Sequence, residues 1–513
     1  MPLPIVMRDI VLDGESLKIR DVVETGLGGT TVYLSNNARK RMEISRLGID
    51  HILESGETTY GINTGFGALS SVSIESDKLE ALQVNLIRSH ACGIGEEMEN
   101  KHTLMMMLIR ANTLCRGNSG ARPLIVETLI SMINHKICPI IPRIGSLGAS
   151  GDLAPLSHLA MGMMGEGFCN IMNDDGNWIK MPALDALKKY SIEPIIPAAK
   201  EGLSLINGTS QMCAFMCEAI HNLDILCFAS DASTACTVEA IRGSHKPFDR
   251  RIHLTRPHPG QSVSAARISS LLVNSEIMIS HQDCERVQDA YSLRCSPQVH
   301  GPVIDILKES RRILGIEINS STDNPLIFTD GGIEVISGGN FHGQYIAICS
   351  DSIAIACHEL ASISERRINQ ILDPKWGGHS PFLADDEGLE SGLMIIQYSS
   401  AAVLSELHLM AGSATISNIP VSMGKEDHAS MGATGSFRTM NSTRLLSNVI
   451  ANEIICACEA LERISERPGS GVAKIWDWVR GIVPPLDGDR QLSDDTRNLS
   501  RAILEGGLTG IFE

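Results

Sequence analysis

Apolar residues recur every three or four positions over long stretches of this chain, and this spacing constrains its fold more than any other feature. Near the C-terminus the repeat comprises Leu446, Val449, Ile450, Ile454, Ala457, Leu461 and Ile464. Such a repeat is typical of an α-helix with one buried face. Similar patterns run through 204–245, 268–285 and 393–416, whereas strand-like alternation is rare outside short stretches such as Thr30–Leu34. The sequence therefore predicts a mainly α fold.

The length of the chain and the even spread of its apolar residues predict one large continuous core. The chain has 513 residues, 43% of them hydrophobic, and it shows no internal repeat or low-complexity tract. Glycine and small polar residues cluster at Arg116–Gly120, a composition that breaks regular elements. We expect a domain boundary there, with an N-terminal domain over 1–118 and a helical domain over 119–513.

The charge balance bears on the class of partner. Lys and Arg total 43 against 60 for Asp and Glu, a net charge of -17, and no basic tract is present. Nucleic acids and anionic membranes attract basic surfaces, so we expect neither partner and a small-molecule substrate instead. The chain does not open with a charged segment followed by a long apolar run, and charged or polar residues interrupt every apolar run well before membrane-spanning length. We expect a cytoplasmic enzyme.

The 14 cysteines are scattered along the chain. The closest pairs, Cys213 with Cys217 and Cys456 with Cys458, do not form the repeated C-x-x-C pattern of a zinc site. We expect reduced, mostly buried thiols and no bound metal.

The glycine-rich segment Gly145–Pro155 contains a serine in an unusual context. Its central residues, Gly148–Asp152, lack the final glycine of G-x-S-x-G, so a hydrolase nucleophile is disfavoured. The tripeptide Ala149-Ser150-Gly151 suits another chemistry, in which the Gly151 nitrogen attacks the Ala149 carbonyl and Ser150 loses water. The product is an imidazolinone that carries an exocyclic methylene, a strong electrophile.

Each residue type in the tripeptide has a physical reason. Gly151 lets its nitrogen approach without a Cβ in the way, Ser150 supplies a hydroxyl that can leave, and Ala149 adds little bulk. The alternative is a glycine-rich turn capped by Ser150 or Asp152 before a helix that begins near Leu153. Taken alone, the tripeptide favours that turn.

The wider sequence resembles the histidine and phenylalanine ammonia-lyase family, whose members make this methylidene-imidazolinone. The resemblance rests on Gly148–Leu156, Tyr60–Gly67, Ser89-His90, Asn207–Thr209, Gln288–Cys295, Ser321–Pro325, Gly338–His342 and Glu426–His428. It implies a 4-methylidene-imidazol-5-one (MIO) formed autocatalytically from Ala149-Ser150-Gly151, with no external cofactor. It also implies a smaller N-terminal domain and an elongated helical domain, assembled as a homotetramer with shared active sites.

The reaction that the resemblance implies needs a base. A substrate amine adds to the methylene, a β-proton is lost, and ammonia leaves with an α,β-unsaturated acid. We expect Tyr60 to take the proton and Tyr291 to share or support that role. A tyrosine titrates near ~10 unless its surroundings stabilise the phenolate, and Tyr60 could instead anchor a loop beside Gly61 and Gly65. We also expect helix N-termini around the imidazolinone, because their dipoles increase its electrophilicity.

Four further residues are assigned by resemblance. Arg294 suits the substrate carboxylate, because a guanidinium fork can hold both oxygens. Asn207 and Gln288 resemble the family's amides that orient the substrate and the imidazolinone carbonyl, and Phe341 resembles a wall of the ring pocket. Outside these motifs each would be an ordinary surface, capping or core side chain.

Two residues indicate histidine as the substrate. His90 and Glu426 occupy the positions at which histidine-specific members of the family carry theirs. An imidazole has two nitrogens that need partners, and Glu426 can accept from one while His90 or a water serves the other. The reaction expected is elimination of ammonia from L-histidine to give trans-urocanate, the first step of histidine degradation.

Departures from the family pattern keep alternatives open. Lys425 stands where histidine-specific members tend to have glutamine, and it could pair with Glu426. Gly343-Gln344-Tyr345 also differs from their pattern. The alternatives are a tyrosine or phenylalanine ammonia-lyase and a histidine 2,3-aminomutase with the same cofactor. From other classes, a glycine-rich nucleotide-binding enzyme and a non-catalytic helical scaffold remain.

Overall fold

The computed structural model describes residues 8–56, 58–65, 74–173, 175–281 and 287–512. Within these ranges the chain is mainly helical, which confirms the predicted fold class. The helices are α1 (Ile19–Gly26), α2 (Asn36–Ser55), α3 (Leu79–His90), α4 (Asn100–Cys115), α5 (Pro123–Asn134), α6 (Leu153–Met163), α7 (Ala183–Lys189), α8 (Glu201–Ile206), α9 (Ser210–Ala240), α10 (Arg250–Leu254), α11 (Pro259–Leu271), α12 (Glu276–Ser280), α13 (Tyr291–Arg294), α14 (Ser296–Glu317), α15 (Gln344–Leu372), α16 (Pro374–Gly377), α17 (Met394–Met410), α18 (Gly432–Leu461), α19 (Ser470–Arg480), α20 (Ser493–Leu504) and α21 (Gly507–Gly510).

The strands are short and form small separate sheets. They are β1 (Arg8–Leu12), β2 (Thr30–Leu34), β3 (Ile94–Glu97), β4 (Ile137–Pro139), β5 (Pro142–Ile144), β6 (Phe168–Met172), β7 (Trp178–Pro182), β8 (Leu326–Phe328) and β9 (Glu334–Ile336). β1 pairs in parallel with β2, whereas β3 with β5, β4 with β6, β6 with β7, and β8 with β9 are antiparallel. The predicted strand at Thr30–Leu34 is confirmed as β2.

The chain divides into two compact units. Unit 1 comprises 1–218, 311–350 and 413–437, and unit 2 comprises 219–310, 351–412 and 438–513. All the strands belong to unit 1, and the long helices α9, α14, α15 and α18 each have residues in both units. The predicted boundary after Asn118 falls inside unit 1, between α4 and α5, and stays a prediction.

Unit 1 is built around α4, which is buried along nearly its whole length. Helices α3, α6 and α8 pack against one another in this unit, and α5 packs on α4. The segment Ser146–Asp152 lies between strand β5 and helix α6, and Asn207–Thr209 lies between helices α8 and α9.

The regular elements described in unit 2 are all helices, and the unit contains a buried polar network. The Glu453 carboxylate in α18 accepts from both Nε and Nη2 of Arg367 in α15, at 2.5 and 2.8 Å, and both side chains are fully buried. Ser233, Thr237 and Ser364 donate to the same carboxylate. A buried ion pair is tolerated when its remaining hydrogen-bonding capacity is satisfied in this way.

The apolar patterns located α9, α17 and α18, did not locate α14 or α15, and missed two breaks. The pattern over 204–245 contains the end of α8 and all of α9, which Asn207–Thr209 separates. Residues 282–285 of the pattern over 268–285 lie outside the described residues. The C-terminal repeat lies on α18, which ends three residues before Ile464. The pattern over 268–285 is not one helix: α11 ends at Leu271, and Ser275 caps the separate helix α12 by accepting from the Met278 amide at 2.9 Å. Asn274 between them has a φ of +64°, a conformation that interrupts a right-handed helix.

Two helices, α9 and α15, are long and apolar enough to cross a membrane by length and composition. In these helices 78% and 67%, respectively, of the most apolar window is buried inside the fold. That degree of burial is typical of core helices.

The cysteines within the described residues are free thiols, and all except Cys92 and Cys295 are buried. Burial raises the pKa of the Cys115 and Cys357 thiols to about 12, which suppresses their thiolate forms.

Candidate active site

The Ala149-Ser150-Gly151 tripeptide lies where two backbone segments of unit 1 run side by side. Gly151 pairs with Gly208 in a parallel bridge, and the Asp152 amide donates to the Gly208 carbonyl at 2.7 Å. Gly151 has a φ of +73°, and a Cβ at this position would overlap the Gly208 backbone. Glycine is therefore required at 151 by the left-handed conformation and by the contact.

Asp152 caps a helix other than its own. Its carboxylate accepts from the Ser146 hydroxyl at 2.7 Å and from the amides of Gln211 and Met212, at 2.8 and 3.2 Å, in the first turn of α9. α6 begins at Leu153, as predicted, but Asp152 makes no side-chain cap bond to α6. The alternative of a turn capped by Asp152 ahead of α6 is therefore wrong. Burial raises the pKa of Asp152 to about 6, against the opposing effect of its three hydrogen bonds.

Four helices begin around this segment. α6 follows it directly, and α9 begins two residues after Gly208. Gly343, just before α15, donates its amide to the Gly148 carbonyl at 3.2 Å, and Met431, just before α18, donates to the Leu147 carbonyl at 2.8 Å. The prediction that helix N-termini surround the tripeptide is confirmed. Their partial positive charges favour an electron-poor group at this point.

A cavity of about 180 Å³ opens beside Ser150 in unit 1. It is lined by Tyr60, Leu86, His90, Ser150, Leu153, Leu203, Ile206, Asn207, Asn324, Phe341, Ser422 and Glu426. Six of the residues singled out in the sequence meet there: Tyr60, His90, Ser150, Asn207, Phe341 and Glu426. The cavity combines apolar walls with a few polar side chains, as small-molecule sites do.

Asn207 connects this cavity to the tripeptide. Its side-chain nitrogen donates to the Ser150 carbonyl at 2.9 Å. Its Oδ1 is buried and has no hydrogen-bond partner among the residues that the structure describes. Because an unpaired buried oxygen costs free energy, it suits a donor on a bound group. The orphaned oxygen and the glycine contact at Gly151 together fit an electrophilic group made from the tripeptide.

The hydrogen bonds of His90, the last residue of α3, show which of its ring nitrogens carries a hydrogen. Its Nδ1 lies 2.8 Å from the Leu86 carbonyl oxygen and 3.0 Å from the Ser89 hydroxyl. Because a carbonyl oxygen only accepts, Nδ1 carries the hydrogen, and Nε2 of the neutral ring is an acceptor. His90 therefore suits a ligand that donates an N–H or O–H.

Glu426 reaches the cavity from a short loop closed by a bridge between Val421 and Glu426. The neighbouring Lys425 is exposed and does not line the cavity. Across the described ranges, no ion pair joins Lys425 to Glu426. Lys425 departs from the family pattern, but it does not neutralise the Glu426 carboxylate.

Tyr60 lies in a tight turn at the edge of the cavity. The Thr59 amide donates to the Asn63 side chain at 2.8 Å, and Gly61 adopts a φ of +76° where a Cβ would overlap Pro325. Tyr60 is therefore held in a hydrogen-bonded turn and also lines the cavity, so the structure is compatible with both roles, loop anchor and site residue. The end of its motif, residues 66 and 67, lies outside the described residues.

Gln288, Tyr291 and Arg294 belong to unit 2, and none of them lines this cavity. Gln288 is exposed, and Tyr291 is 70% exposed. The Arg294 guanidinium stacks over the Tyr291 ring at 4.4 Å and donates through Nε to the Asp289 carbonyl at 3.2 Å. The structure thus places Arg294 against Tyr291 and leaves all three residues outside the cavity.

Sequence reasoning missed two buried cations behind the tripeptide. The ammonium of Lys200 lies 2.8 Å from the Asp323 carboxylate, and both side chains are fully buried. Arg110 is also buried, donates to the Ser204 carbonyl, and leaves no room for a Cβ on Gly208. Burial lowers the pKa of Arg110 to about 10, which the charges of Asp323 and Asp152 oppose. The only sequence signal for this cluster was Asp323, inside a family motif.

Unit 1 contains a second cavity, of about 370 Å³, beside the C-terminal end of α14. Its lining includes Arg312, Glu317, Asn340, His342 and Tyr345 and none of the predicted site residues. In the part of the chain that the structure describes, no group of three or more His, Cys, Asp or Glu side chains could hold a metal ion.

Comparison with known proteins matches both the sequence and the fold. The sequence profile of the aromatic amino acid lyases matches residues 17–481. The chain is 42% identical over 500 residues to a histidine ammonia-lyase of Myxococcus xanthus, covering 97% of each chain. It is 44% identical over 487 residues to one of a Geobacillus species, covering 95% of this chain and 94% of the relative.

Solved structures agree with these relatives. A histidine ammonia-lyase from Trypanosoma cruzi superposes with a TM-score of 0.91 at 37% identity, covering 98% of this chain and 94% of the other. A tyrosine aminomutase from Streptomyces globisporus also gives 0.91, at 33% identity, covering 98% of both chains. With the profile match over most of its length, the chain belongs to the aromatic amino acid lyase family.

Proposed function

We propose that this chain removes ammonia from L-histidine and produces trans-urocanate, the first step of histidine degradation. The observation that carries the proposal is the single cavity in which Ser150, Tyr60, His90 and Glu426 meet. The names of the similar proteins from Myxococcus xanthus and Trypanosoma cruzi support histidine as the substrate.

The cofactor proposed for this cavity is an MIO formed autocatalytically from Ala149-Ser150-Gly151, with no external cofactor. This group supplies an electrophilic carbon that turns the substrate amine into a better leaving group. Asn207 would hold it, because its side-chain nitrogen already donates to the Ser150 carbonyl at 2.9 Å. The surrounding helix N-termini would stabilise negative charge on the group.

Tyr60 is the proposed base and takes the proton from the β-carbon of the substrate at its phenolic oxygen. Its place in the lining of the same cavity as Ser150 supports this role. Proton removal from carbon requires a base held in contact with the substrate, and the turn at Asn63 and Gly61 fixes Tyr60 locally. Tyr291 would support the reaction from a second copy of the chain.

His90 and Glu426 are proposed to select the imidazole. Both offer acceptors, since Nε2 of neutral His90 and the Glu426 carboxylate accept hydrogen bonds. A neutral imidazole donates its one N–H to one of them, and an imidazolium donates to both. A phenyl ring gives neither of them a donor, and each of the two that such a ring buried without a partner would cost about 1–3 kcal/mol. Phe341 supplies an apolar wall for the ring.

Arg294 and Gln288 are proposed to complete the site from another subunit of a homotetramer. Arg294 would hold the substrate carboxylate through its guanidinium fork, and Gln288 would orient the substrate. Their position in unit 2, together with the exposure of Gln288 and Tyr291, supports this arrangement. We propose a cytoplasmic location, which is supported by the burial of both long apolar helices, α9 and α15, inside the fold.

An aminomutase is the second candidate, favoured by the similarity to the tyrosine aminomutase fold. Such an enzyme returns ammonia to the β-carbon of the released acid. It differs from a lyase in product and not in cofactor, so only product analysis separates the two.

Purified protein incubated separately with histidine, tyrosine and phenylalanine tests the proposal. We expect ammonia and urocanate in equal amounts from histidine, and at least about 100-fold lower kcat/KM with the other two. Cinnamate or coumarate as the main product would overturn the choice of substrate. A β-amino acid that accumulates in place of urocanate would select the aminomutase.

A further inference from the structure

We infer that two buried serines, Ser146 and Ser430, are positioning residues for the ring closure that makes the cofactor. The inference rests on the proposed function, since it requires the tripeptide to cyclise. Ser146 lies three residues before Ala149 in the chain, whereas Ser430 is more than two hundred residues away. Both belong to unit 1. They bond to the amide and to the carbonyl of one residue, Gly148, directly ahead of the tripeptide.

Ser146 connects the chain before the tripeptide with the chain after it. Its Oγ accepts from the Gly148 amide at 3.2 Å and lies 2.7 Å from an Asp152 carboxylate oxygen and 3.3 Å from the Gly151 carbonyl oxygen. Donation to either oxygen closes a bridge across Ala149-Ser150-Gly151. The side chain is 8% exposed, so water does not compete strongly for these bonds.

Ser430 holds the other end of the same glycine. Its hydroxyl donates to the Gly148 carbonyl at 3.0 Å and accepts from the Gly432 amide at 3.2 Å. The Gly343 amide donates to that carbonyl as well, at 3.2 Å. Gly148 has a φ of +65°, and a Cβ there would overlap the Ser430 hydroxyl. Ser430 is fully buried.

The far end of the tripeptide is fixed independently. Gly151 pairs with Gly208, the Asp152 amide donates to the Gly208 carbonyl at 2.7 Å, and Asn207 donates to the Ser150 carbonyl at 2.9 Å. The two serines therefore determine where Ala149 is held relative to a Gly151 that is already fixed.

Ring closure depends on that relation. The Gly151 nitrogen forms a bond to the Ala149 carbonyl carbon, and the carbonyl oxygen leaves as water with the amide hydrogens of Gly151 and Ser150. Ser150 then loses its hydroxyl and its α-hydrogen as a second water, which leaves the methylene. Holding the two reacting atoms together removes the entropic cost of bringing them together in a flexible segment. No oxidant or external reagent takes part.

Intact-mass measurement of denatured protein, taken at intervals after synthesis, tests the inference. Wild type should lack the mass of two waters. The Ser146→Ala and Ser430→Ala variants should lose the two waters at least about tenfold more slowly than wild type. This is the effect expected when hydrogen bonds that align the reacting atoms are removed. Ser146→Thr retains the hydroxyl and should restore conversion.

Ser157→Ala is the matched control. Ser157 is a buried serine of α6, and among the described residues its hydroxyl bonds only within its own helix, to the Leu153 carbonyl at 2.7 Å. The Ser157→Ala variant should form the cofactor as fast as wild type. Its thermal midpoint should fall by as much as in the other two alanine variants. If Ser146→Ala does not fold, Ser146→Cys fills the same space with a weak donor and should also convert slowly.

The outcomes separate the two proposals. Full conversion of Ser146→Ala and Ser430→Ala at the wild-type rate, or no rescue by Ser146→Thr, would overturn the role of the serines while leaving the cofactor in place. A wild-type chain with no mass deficit would instead overturn the proposed cofactor, and the positioning role with it.

Discussion

Two family motifs differ in how deeply the fold buries them. They are the segments Gly148–Asp152 and Gln288–Arg294. In the first, Asp152 is completely buried and the backbone around Gly151 is paired with Gly208. In the second, Gln288 is exposed and Tyr291 is 70% exposed, although Leu293 is buried. The first segment finds its partners within its own unit, whereas large side chains of the second face solvent.

This difference indicates how the site is divided. The tripeptide proposed to form the cofactor, its supporting hydrogen bonds and the cavity proposed for the substrate ring are all in unit 1. An exposed aromatic and a stacked arginine together are typical of a surface that another molecule covers. We therefore expect cofactor formation to need only the local fold of unit 1, and turnover to need assembly.

The largest expected effect comes from removing the leaving hydroxyl in the buried segment. Ser150→Ala should lower kcat by about 10⁴-fold or more, because covalent activation of the amine is lost while the binding groups remain. Steady-state production of urocanate measures it, with Ser157→Ala as the control that stays near wild type. Residual activity within tenfold of wild type would place the chemistry elsewhere.

The buried carboxylate of Asp152 should make stability depend on pH. Its pKa is about 6 in the folded chain against an ordinary value of 3.8. The folded state thus binds the proton more tightly, so the stabilisation is complete below about pH 4 and is lost as pH rises through about 6. The full change corresponds to about 3 kcal/mol in the free energy of unfolding.

Comparing Ser150→Ala with Ser150→Ala/Asp152→Asn isolates this effect, because neither variant can form the cofactor. Denaturant unfolding at several pH values should show the advantage of the first over the second shrinking from about pH 4 to about pH 7. A difference that stays constant with pH would contradict the raised pKa.

Substitution of Glu426 in the cavity should have a smaller effect on activity, and the adjacent Lys425 provides a matched control. Glu426→Gln keeps the shape but removes the charge, and should lower kcat/KM for histidine by about 10–100-fold. Lys425→Gln changes the adjacent exposed residue and should change kcat/KM by less than about threefold. If the two variants behaved alike, Glu426 would have no specific role toward the imidazole.

Mixing variants tests the division between the two segments directly. Ser150→Ala and Arg294→Ala should each be nearly inactive, but co-expressed chains that share sites should regain activity at least about tenfold above either alone. Mixed assemblies contain some sites with an intact tripeptide and an intact arginine from different copies. Activity no higher than the sum of the separate variants would place both residues in one chain's site.

Much of the site could be read from the sequence because its residues lie in contiguous motifs. Ser150, Tyr60, His90 and Glu426 were each identifiable locally, and the structure brings them to one cavity. The 3.6-residue period likewise located long helices such as α18. What could not be read depends on contacts between distant segments.

Ser430 shows the reason most clearly. Nothing in its neighbourhood distinguishes it from other serines, and its bond to the Gly148 carbonyl spans 282 positions. The cap that Asp152 provides for α9 is similar, since a local pattern assigns it to the helix that follows it directly. The apolar pattern did not predict the break between α11 and α12, because the apolar spacing continues across Asn274.

The most direct measurement of the central claim is peptide mass analysis of active wild-type protein across Ala149-Ser150-Gly151. We predict that the peptide containing the tripeptide lacks the mass of two waters and that the same peptide from Ser150→Ala is unmodified. An unmodified wild-type peptide in a preparation that converts histidine to urocanate would contradict the account.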